Sequence, residues 1–259
     1  MKKNKIVAII QARMSSTRLP GKVLMESNSQ SMLQHMINRI TPSKLLDNIV
    51  IATTNDPSDQ KIINHCVENN YSYTTGSLDD VLERYYECAK LHKADIIVRL
   101  TADCPLHDHR IIDHTIEEFL KDDTYDYLSN TTPPPASYPD GMDVEIFTFA
   151  ALENAWKNAK KPSEREHVTF YFWKNLDLFK CKKIDYRENV RDFRLTLDYQ
   201  EDFELTDKLF SHFLPDNPLF SMEEMINYLR NNPQIKEINS HIEDYAGWKP
   251  SLEKDKELE

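Results

Sequence analysis

The sequence predicts an α/β fold whose core is a doubly wound, mostly parallel sheet. Short runs rich in β-branched residues alternate with amphipathic stretches, at 6–10, 30–41, 48–53, 58–69, 78–92 and 95–100. This alternation is typical of parallel βαβ units. In addition, the first apolar run ends in a loop that carries several cations, and open α/β sheets bind their ligands at that edge.

The individual elements follow from periodicity and end signals. Apolar residues recur at helical spacing within 30–41, and Pro42 follows the expected end of that helix. Asp108 is expected to cap a helix over 109–120. In the second half we predict a strand over 143–147, a helix over 148–160, a helix from Glu164 to Trp173, a last strand over 193–197 and a helix over 200–213. A helix near 221–231 and the charged tail after Pro250 are expected to be peripheral.

Composition limits the domain organisation and the class of partner. The 259 residues, 40% of them hydrophobic, suffice for one large domain spanning 1–259. A proline-rich loop over 130–141 predicts a smaller substrate or dimerisation lobe at about 130–195. A net charge of -11 argues against nucleic acid as a partner. The sequence shows neither paired cysteine spacing, nor an apolar stretch of about 20 residues, nor a secretory signal, so we expect a cytoplasmic protein without membrane contact.

The loop after the first strand is the strongest candidate for a ligand site. Residues 11–22 contain Arg13, Arg18 and Lys22, two serines and Gly21. Guanidinium and ammonium groups neutralise phosphate oxygens, and glycine allows close backbone approach. The spacing matches neither a P-loop nor a dinucleotide-binding glycine motif. We therefore predict a nucleotide triphosphate here, the alternative being a solvated basic turn.

Carboxylates at strand ends supply the second candidate group. Asp103 follows the strand that ends at residue 100, and Asp198 follows the predicted last strand. Both should reach the same sheet edge as the basic loop, where carboxylates beside phosphates call for a divalent cation such as Mg²⁺. The alternative for Asp103 is a turn residue that caps the next helix. Asp143 and Glu145 alternate along a strand and could both face the site.

Three further groups have competing explanations. Gly76 and Asp80 fit a ligand-binding turn, but they fit a helix cap equally well. Arg165 and His167 lie in a charged run that is normally a solvated helix face, although they could contact an acidic sugar. The two imidazoles of His107 and His109 suggest a metal, but Asp108 between them is explained as a cap.

At this point several stretches match a known family. Residues 11–24, QARMSSTRLPGKVL, resemble the opening motif of the cytidylyltransferases that make CMP-activated acidic sugars, the acylneuraminate and 3-deoxy-manno-octulosonate enzymes. Within that family the chain is similar to the SpsF group, named from spore-coat polysaccharide biosynthesis. Further matching stretches lie at 76–86, 99–106, 141–145, 165–169 and 194–203. In the last of these, Tyr199 and Gln200 replace the usual Thr-Pro, while the acidic residues are retained.

The resemblance implies a Rossmann-like nucleotide-diphospho-sugar transferase fold, CTP as substrate, an acidic sugar as acceptor, Mg²⁺ as cofactor and a homodimer. We expect catalytic roles for Arg13, Lys22 and Asp103, and metal ligation by Asp103 and Asp198. The residues expected to contact the nucleotide are Ala12, Arg13, Ser15, Ser16, Arg18, Lys22, Thr53, Gly76, Asp80 and Arg99. Those expected to contact the acceptor are Asp143, Glu145, Arg165 and His167.

Two other functions are also compatible with these residues. A glycosyltransferase could use Asp143-Val-Glu145 in place of an Asp-x-Asp metal motif, and a non-catalytic nucleotide-binding protein could serve a polysaccharide pathway. A nucleotide-sugar diphosphate needs fewer cations than a triphosphate. Clustered acids without a cation are unfavourable in a merely structural protein. Both observations favour the cytidylyltransferase.

Overall fold

The computed structural model describes residues 3–257. A seven-stranded sheet in the order β5-β4-β1-β6-β8-β7-β9 forms its centre, and a two-stranded hairpin lies apart from it. The strands are β1 (Ile6–Gln11), β2 (Glu26–Ser27), β3 (Gln30–Ser31), β4 (Asn48–Thr54), β5 (Tyr73–Gly76), β6 (Ile96–Thr101), β7 (Tyr127–Ser129), β8 (Glu145–Thr148) and β9 (Cys181–Lys183).

Helices cover both faces of the sheet, as a doubly wound fold requires. They are α1 (Met32–Ile40), α2 (Gln60–Glu68), α3 (Val81–His92), α4 (His109–Leu120), α5 (Phe149–Asn158), α6 (Pro162–His167), α7 (Phe170–Lys174), α8 (Gln200–Phe213), α9 (Met222–Asn231), α10 (Pro233–Lys236) and α11 (Lys249–Lys256). None of the helices between residues 3 and 257 combines the length and apolar character needed to span a bilayer.

The central strand β1 is parallel to both of its neighbours, β4 and β6. Its side chains alternate between two cores: Ala8 and Ile10 pack on one face, Val7 and Ile9 on the other. Beyond β6 the direction changes, because β8 is antiparallel to both β6 and β7. The predicted mostly parallel α/β sheet is confirmed. The segment 130–195, predicted as a smaller lobe, contributes β8 and β9 to this same sheet.

Two predicted elements of the second half are wrong. The single helix expected from Glu164 to Trp173 is divided into α6 and α7, because Val168 between them has a φ of +60°, which no α-helix contains. The strand expected over 193–197 is an extended segment with one isolated bridge, between Arg194 and Asp140. Its amide groups bond to loops: Leu195 N donates to Asp140 O and Leu197 N to Asp103 O, both at 2.7 Å.

The tail after Pro250 is not peripheral, contrary to expectation. It forms α11, which packs against α6 and buries the polar side chains Ser251 and Asp255. Asp255 accepts hydrogen bonds from the backbone and the hydroxyl of Ser163, at 2.9 and 2.5 Å. The helix α9 also contributes buried residues to the core, although it was expected at the periphery. The apolar stripe of α9 explains this, whereas the charged tail shows no such stripe.

Candidate active site

A cleft of about 480 Å³ opens at the carboxyl edge of β1 and β6. The loop after β1 forms one wall and contributes Arg13, Arg18 and Lys22. The loop closes through Gly21, whose amide donates to Met14 O at 2.9 Å and whose φ of +73° favours glycine. The cations therefore face the cleft from a fixed turn.

Lys22 lies between the two predicted strand-end carboxylates. Its ammonium nitrogen is 2.9 Å from Asp103 Oδ2 and 2.8 Å from Asp198 Oδ1, and its side chain is only 9% exposed. Burial opposes the charge of Lys22, but the two carboxylates outweigh burial and raise its pKa. Conversely, burial opposes the charge of Asp103, but Lys22 holds the pKa of Asp103 well below its usual range. Lys22 and Asp103 are therefore both charged at neutral pH.

Asp198 reaches this place through the extended segment rather than through a strand. Leu197 is bonded to the carbonyl of Asp103, so the two aspartates are adjacent. Arg18 pairs with Asp198 at 2.6 Å, and Arg194 lies 3.3 Å from the other oxygen of Asp198. Arg194 also pairs with Asp140 at 2.7 Å and with the fully buried Asp202 at 2.9 Å.

Two cations of the cleft have no carboxylate partner among the described residues. Arg13 forms no ion pair, and Arg84 on α3 donates only to the carbonyl of Ser77, at 2.8 Å. The Nε of Arg84 is buried without a hydrogen-bond partner. Burial, together with the nearby charge of Arg13, lowers the pKa of Arg84. Sequence reasoning missed Arg84, although an arginine one turn into a helix that starts at a predicted site was a usable signal.

Arg99 and Glu145 form a buried ion pair at the base of the cleft. The carboxylate of Glu145 also accepts hydrogen bonds from Tyr127, Thr169 and Thr132, at 2.5, 2.6 and 3.1 Å. The Nε of Arg99 is buried and has no hydrogen-bond partner in the part of the chain that the structure describes. Because four donors occupy Glu145, it is poorly placed to ligate a metal, which weighs against the glycosyltransferase alternative.

Asp143 precedes β8 and lies on the cleft wall near Asp140. It accepts a hydrogen bond from the backbone of Gly141 at 2.8 Å. Burial and the nearby charge of Asp143 raise the pKa of Asp140 to about 7, although Arg191 and Arg194 oppose this rise. Asp140 and Asp143 thus face Arg191 and Arg194 on this side of the cleft.

The cleft lining includes Ala12 and Ser16 but not Ser15, and several other predicted residues lie away from it. Thr53 is buried and donates to Asp59 at 3.2 Å. Asp80 accepts from the amide of Glu83 at 2.9 Å as the cap of α3, and it pairs with Arg165. Gly76 packs against the side chain of Arg84. The cap explanation for Asp80 and the capping role of Asp108 for α4 are both observed.

The C-terminal wall of the cleft was not foreseen. We call residues 243–256 the C-terminal strap; it contributes Tyr245, Gly247 and Trp248 to the lining. A Cβ on Gly247 would lie 3.3 Å from Arg18 Nη1, so the strap touches the basic loop. His167 also lines the cleft and shares a hydrogen bond of 2.6 Å with Ser251 of the strap. Burial, with the charges of Arg99 and Lys174, lowers the pKa of His167 to about 3, so His167 is neutral.

The donor set of Asp103 and Asp198 fits a divalent cation that also binds phosphate. Both carboxylates lie within 2.9 Å of the same ammonium nitrogen, so they converge on one position. Mg²⁺ is commonly held by one or two carboxylates plus substrate phosphates. Among residues 3–257, no set of three or more His, Cys, Asp or Glu residues could hold a metal by itself. Phosphate oxygens would therefore complete the coordination.

Comparison with known proteins agrees with this geometry. The family profile described as "Cytidylyltransferase" matches residues 7–244. The uncharacterized protein MJ1063 of Methanocaldococcus jannaschii is 40% identical over 240 residues, which are 92% of this chain and 96% of that protein. The spore coat polysaccharide biosynthesis protein SpsF of Bacillus subtilis is 33% identical over 89% of this chain and 96% of its own length. A solved cytidylyltransferase structure from Leptospira borgpetersenii is 35% identical, with a TM-score of 0.86, and covers 94% of this chain and 100% of that chain.

Proposed function

Because the chain belongs to the cytidylyltransferase family, we propose that it transfers CMP from CTP to a hydroxyl group of an acidic, ulosonic acid-like sugar and releases pyrophosphate. One observation carries the proposal. The buried Lys22 bridges two strand-end aspartates beside Arg18, at the sheet edge where α/β folds bind nucleotides. With a divalent cation bound by Asp103 and Asp198, the positive charges of Lys22 and Arg18 would be left to neutralise a triphosphate.

The cleft has distinct groups for the leaving group and for the reacting phosphate. Within residues 3–257, Arg13 and Arg84 have no acidic partner, so they are free to bind β- and γ-phosphate oxygens. Arg18 and Lys22 lie next to them and stabilise the charge that develops on departing pyrophosphate. Such reactions depend on positioning and charge neutralisation rather than on a covalent enzyme intermediate. In the transfer, the acceptor oxygen bonds to the α-phosphorus, and the bond from this phosphorus to the oxygen bridging it to the β-phosphate breaks. Pyrophosphate leaves with that oxygen, and the hydroxyl proton passes to water.

We propose that Asp103 and Asp198 hold Mg²⁺ together with phosphate oxygens of CTP. A bound Mg²⁺ would polarise the α-phosphate and lower the pKa of the attacking hydroxyl. The side chain of Asp103 is 30% exposed and that of Asp198 is 15% exposed, so both carboxylates remain accessible from the cleft. Arg194 holds Asp198 from the side opposite Lys22 and thereby fixes its orientation.

The likeness to the spore coat polysaccharide protein supports a role in surface polysaccharide or glycan synthesis. We place this activity in the cytoplasm and expect a homodimer, as the family resemblance implies. Size-exclusion chromatography with light scattering would measure the oligomeric state.

The test supplies CTP, ATP, GTP or UTP with Mg²⁺ and a panel of ulosonic acids, sugar phosphates and neutral sugars, and it measures pyrophosphate release. We expect release with CTP and at least one sugar acid, and loss of release in Asp103→Asn. Asp123→Asn is a matched control because Asp123 is exposed and does not line the cleft. Consumption of a nucleotide sugar without pyrophosphate release from CTP would instead indicate a glycosyltransferase.

A further inference from the structure

Arg191 presents a carboxylate-binding geometry on the cleft wall. Its Nε and Nη2 donate to the two oxygens of Asp244, at 2.8 and 2.6 Å. The guanidinium also lies 4.8 Å from the ring centre of Tyr245. This paired, fork-like contact is how arginine recognises the carboxylate of a ligand. Here the carboxylate comes from the C-terminal strap.

Arg191 differs from two other paired arginines of the cleft, Arg99 and Arg194, because its carboxylate partner is more exposed than theirs. Arg99 is held by Glu145, which is 3% exposed, and Arg194 is held by Asp202, which is fully buried. Those partners belong to the packed framework. Asp244 has a side chain that is 38% exposed, and it belongs to a segment at the surface of the cleft. Of these pairs, the one with Asp244 is therefore the easiest to exchange for a ligand.

The charges around Arg191 favour replacement of the Asp244 carboxylate by a ligand carboxylate over the binding of an additional anion. Asp140 and Asp143 lie 3.6 and 4.0 Å from Arg191, so an extra anion would meet two neighbouring carboxyl groups. Replacing the Asp244 carboxylate by a ligand carboxylate leaves the net charge around Arg191 unchanged. The same cleft also contains the hydroxyl of Thr131, which is 1% exposed and has no hydrogen-bond partner among the described residues. A buried, unpaired hydroxyl on a cleft wall is a group left for a ligand.

We propose that Arg191 binds the carboxylate of the acceptor sugar and that Asp244 occupies this position in the free enzyme. The inference rests on the proposed cytidylyl transfer and extends it by naming the residue that selects an acidic acceptor. The Asp244 carboxylate is an internal competitor of the substrate. Its displacement also frees the first part of the strap.

The strap links this exchange to the basic loop. Its distal part stays attached, because Asp255 binds Ser163 and Ser251 binds His167. The intervening Gly247 lies against Arg18, which contacts Asp198. Release of Asp244 therefore loosens the chain over Arg18 while α11 remains packed. Binding of the acceptor thus changes the part of the cleft wall that the strap forms over Arg18, next to the proposed triphosphate site.

The experiment compares Asp244→Asn and Arg191→Lys with wild type, using the sugar acid that gives the highest pyrophosphate release and the methyl ester of that acid. Arg191→Lys keeps the positive charge but loses the paired contact of two guanidinium nitrogens with a carboxylate. We therefore expect its KM for the acid to rise at least tenfold. Asp244→Asn removes the competitor, so we expect its KM for the acid to fall several-fold. Neither variant should change KM for the ester by more than twofold. Glu253→Gln, which removes an acidic charge from an exposed position of the strap, is the matched control.

A second readout follows the strap itself. Chymotrypsin cleavage after Tyr245 or Trp248 should be faster in Asp244→Asn than in Glu253→Gln, and the sugar acid should accelerate it in wild type. Equal changes of KM for acid and ester in Arg191→Lys, or transfer only to uncharged acceptors, would overturn this inference and leave the cytidylyl transfer intact. Absence of transfer from CTP to every acceptor would overturn the proposed function and the inference with it.

Discussion

Replacing Lys22 by Met removes the cation between Asp103 and Asp198 and leaves two carboxylates facing each other. Removing one partner of a buried ion pair costs about 3–5 kcal/mol of the free energy of unfolding. Asp198 retains Arg18 and Arg194, and Asp103 is 30% exposed, so we expect a loss of about 3 kcal/mol, at the lower end of that range. With a urea m-value of about 1–3 kcal/mol/M, this loss lowers the unfolding midpoint by about 1 M or more.

The pH dependence gives a second, independent signature. The pKa of Asp103 is depressed in the folded state, so its contribution to stability is present above its ordinary pKa of 3.8 and is lost as pH falls below it. The pKa of Lys22 is raised, so its contribution is present below its ordinary pKa of 10.5 and is lost at higher pH. The difference in stability between wild type and Lys22→Met should therefore be constant between about pH 5 and 9 and should shrink toward pH 3.

Urea unfolding followed by circular dichroism at several pH values measures this difference, and pyrophosphate release measures activity. We expect activity to fall by about 100-fold or more, because a preorganised charge at the departing phosphates is lost. Lys44→Met is the control, since Lys44 is exposed and outside the cleft. A Lys22→Met protein with the midpoint of wild type, or with a stability difference that grows toward pH 3, would refute the reasoning.

Three further predictions concern other positions. Asp103→Asn should lower turnover by at least about 100-fold and abolish its dependence on Mg²⁺ concentration, with an unchanged circular dichroism spectrum; full activity would remove the role proposed for this residue. Gly141→Ala should destabilise the protein by about 1–3 kcal/mol or more in urea unfolding, because φ is +100° and the new Cβ would lie 2.4 Å from the Leu195 carbonyl carbon; an unchanged midpoint would contradict this. Arg165→Met breaks the partly exposed pair with Asp80 and should cost only about 0.2–1 kcal/mol while KM for CTP stays constant; a tenfold rise in that KM would assign Arg165 to the nucleotide site.

The central part of the cleft could be predicted because short sequence patterns determine where its residues lie in the fold. A polar loop that follows an apolar strand lies at the carboxyl end of that strand. The sequence alone therefore predicts that Lys22 and Asp103 lie at the same edge of the sheet. Asp198 was placed there too, although the strand expected before it does not form. Its position depends on backbone hydrogen bonds that the amides of Leu195 and Leu197 donate to Asp140 O and Asp103 O, which hold the segment in place without a strand.

The remaining parts depend on contacts between distant residues that leave no periodic signal. Arg84 is one of several polar residues on α3, and its place one turn into that helix is a signal that does not by itself separate it from a solvent-exposed arginine. Arg191 and Asp244 are 53 positions apart, and their pairing follows from the path of the strap. In the sequence, the end of the strap has the pattern of a charged tail, because the strap is attached through the buried polar residues Ser251 and Asp255 rather than through an apolar stripe. Polar anchoring of this kind is invisible to hydrophobic pattern analysis.

The position of the strap late in the chain has a consequence for biosynthesis. During translation, the basic loop and both strand-end aspartates leave the ribosome well before Asp244 and Trp248 do. A nascent chain therefore has its phosphate-binding cations in place while one wall of the cleft is still absent. Under the proposed function, CTP bound to this partial domain would stabilise it by mass action before residues 243–256 are made. The last wall to be made would then close on a sheet that nucleotide has already helped to order.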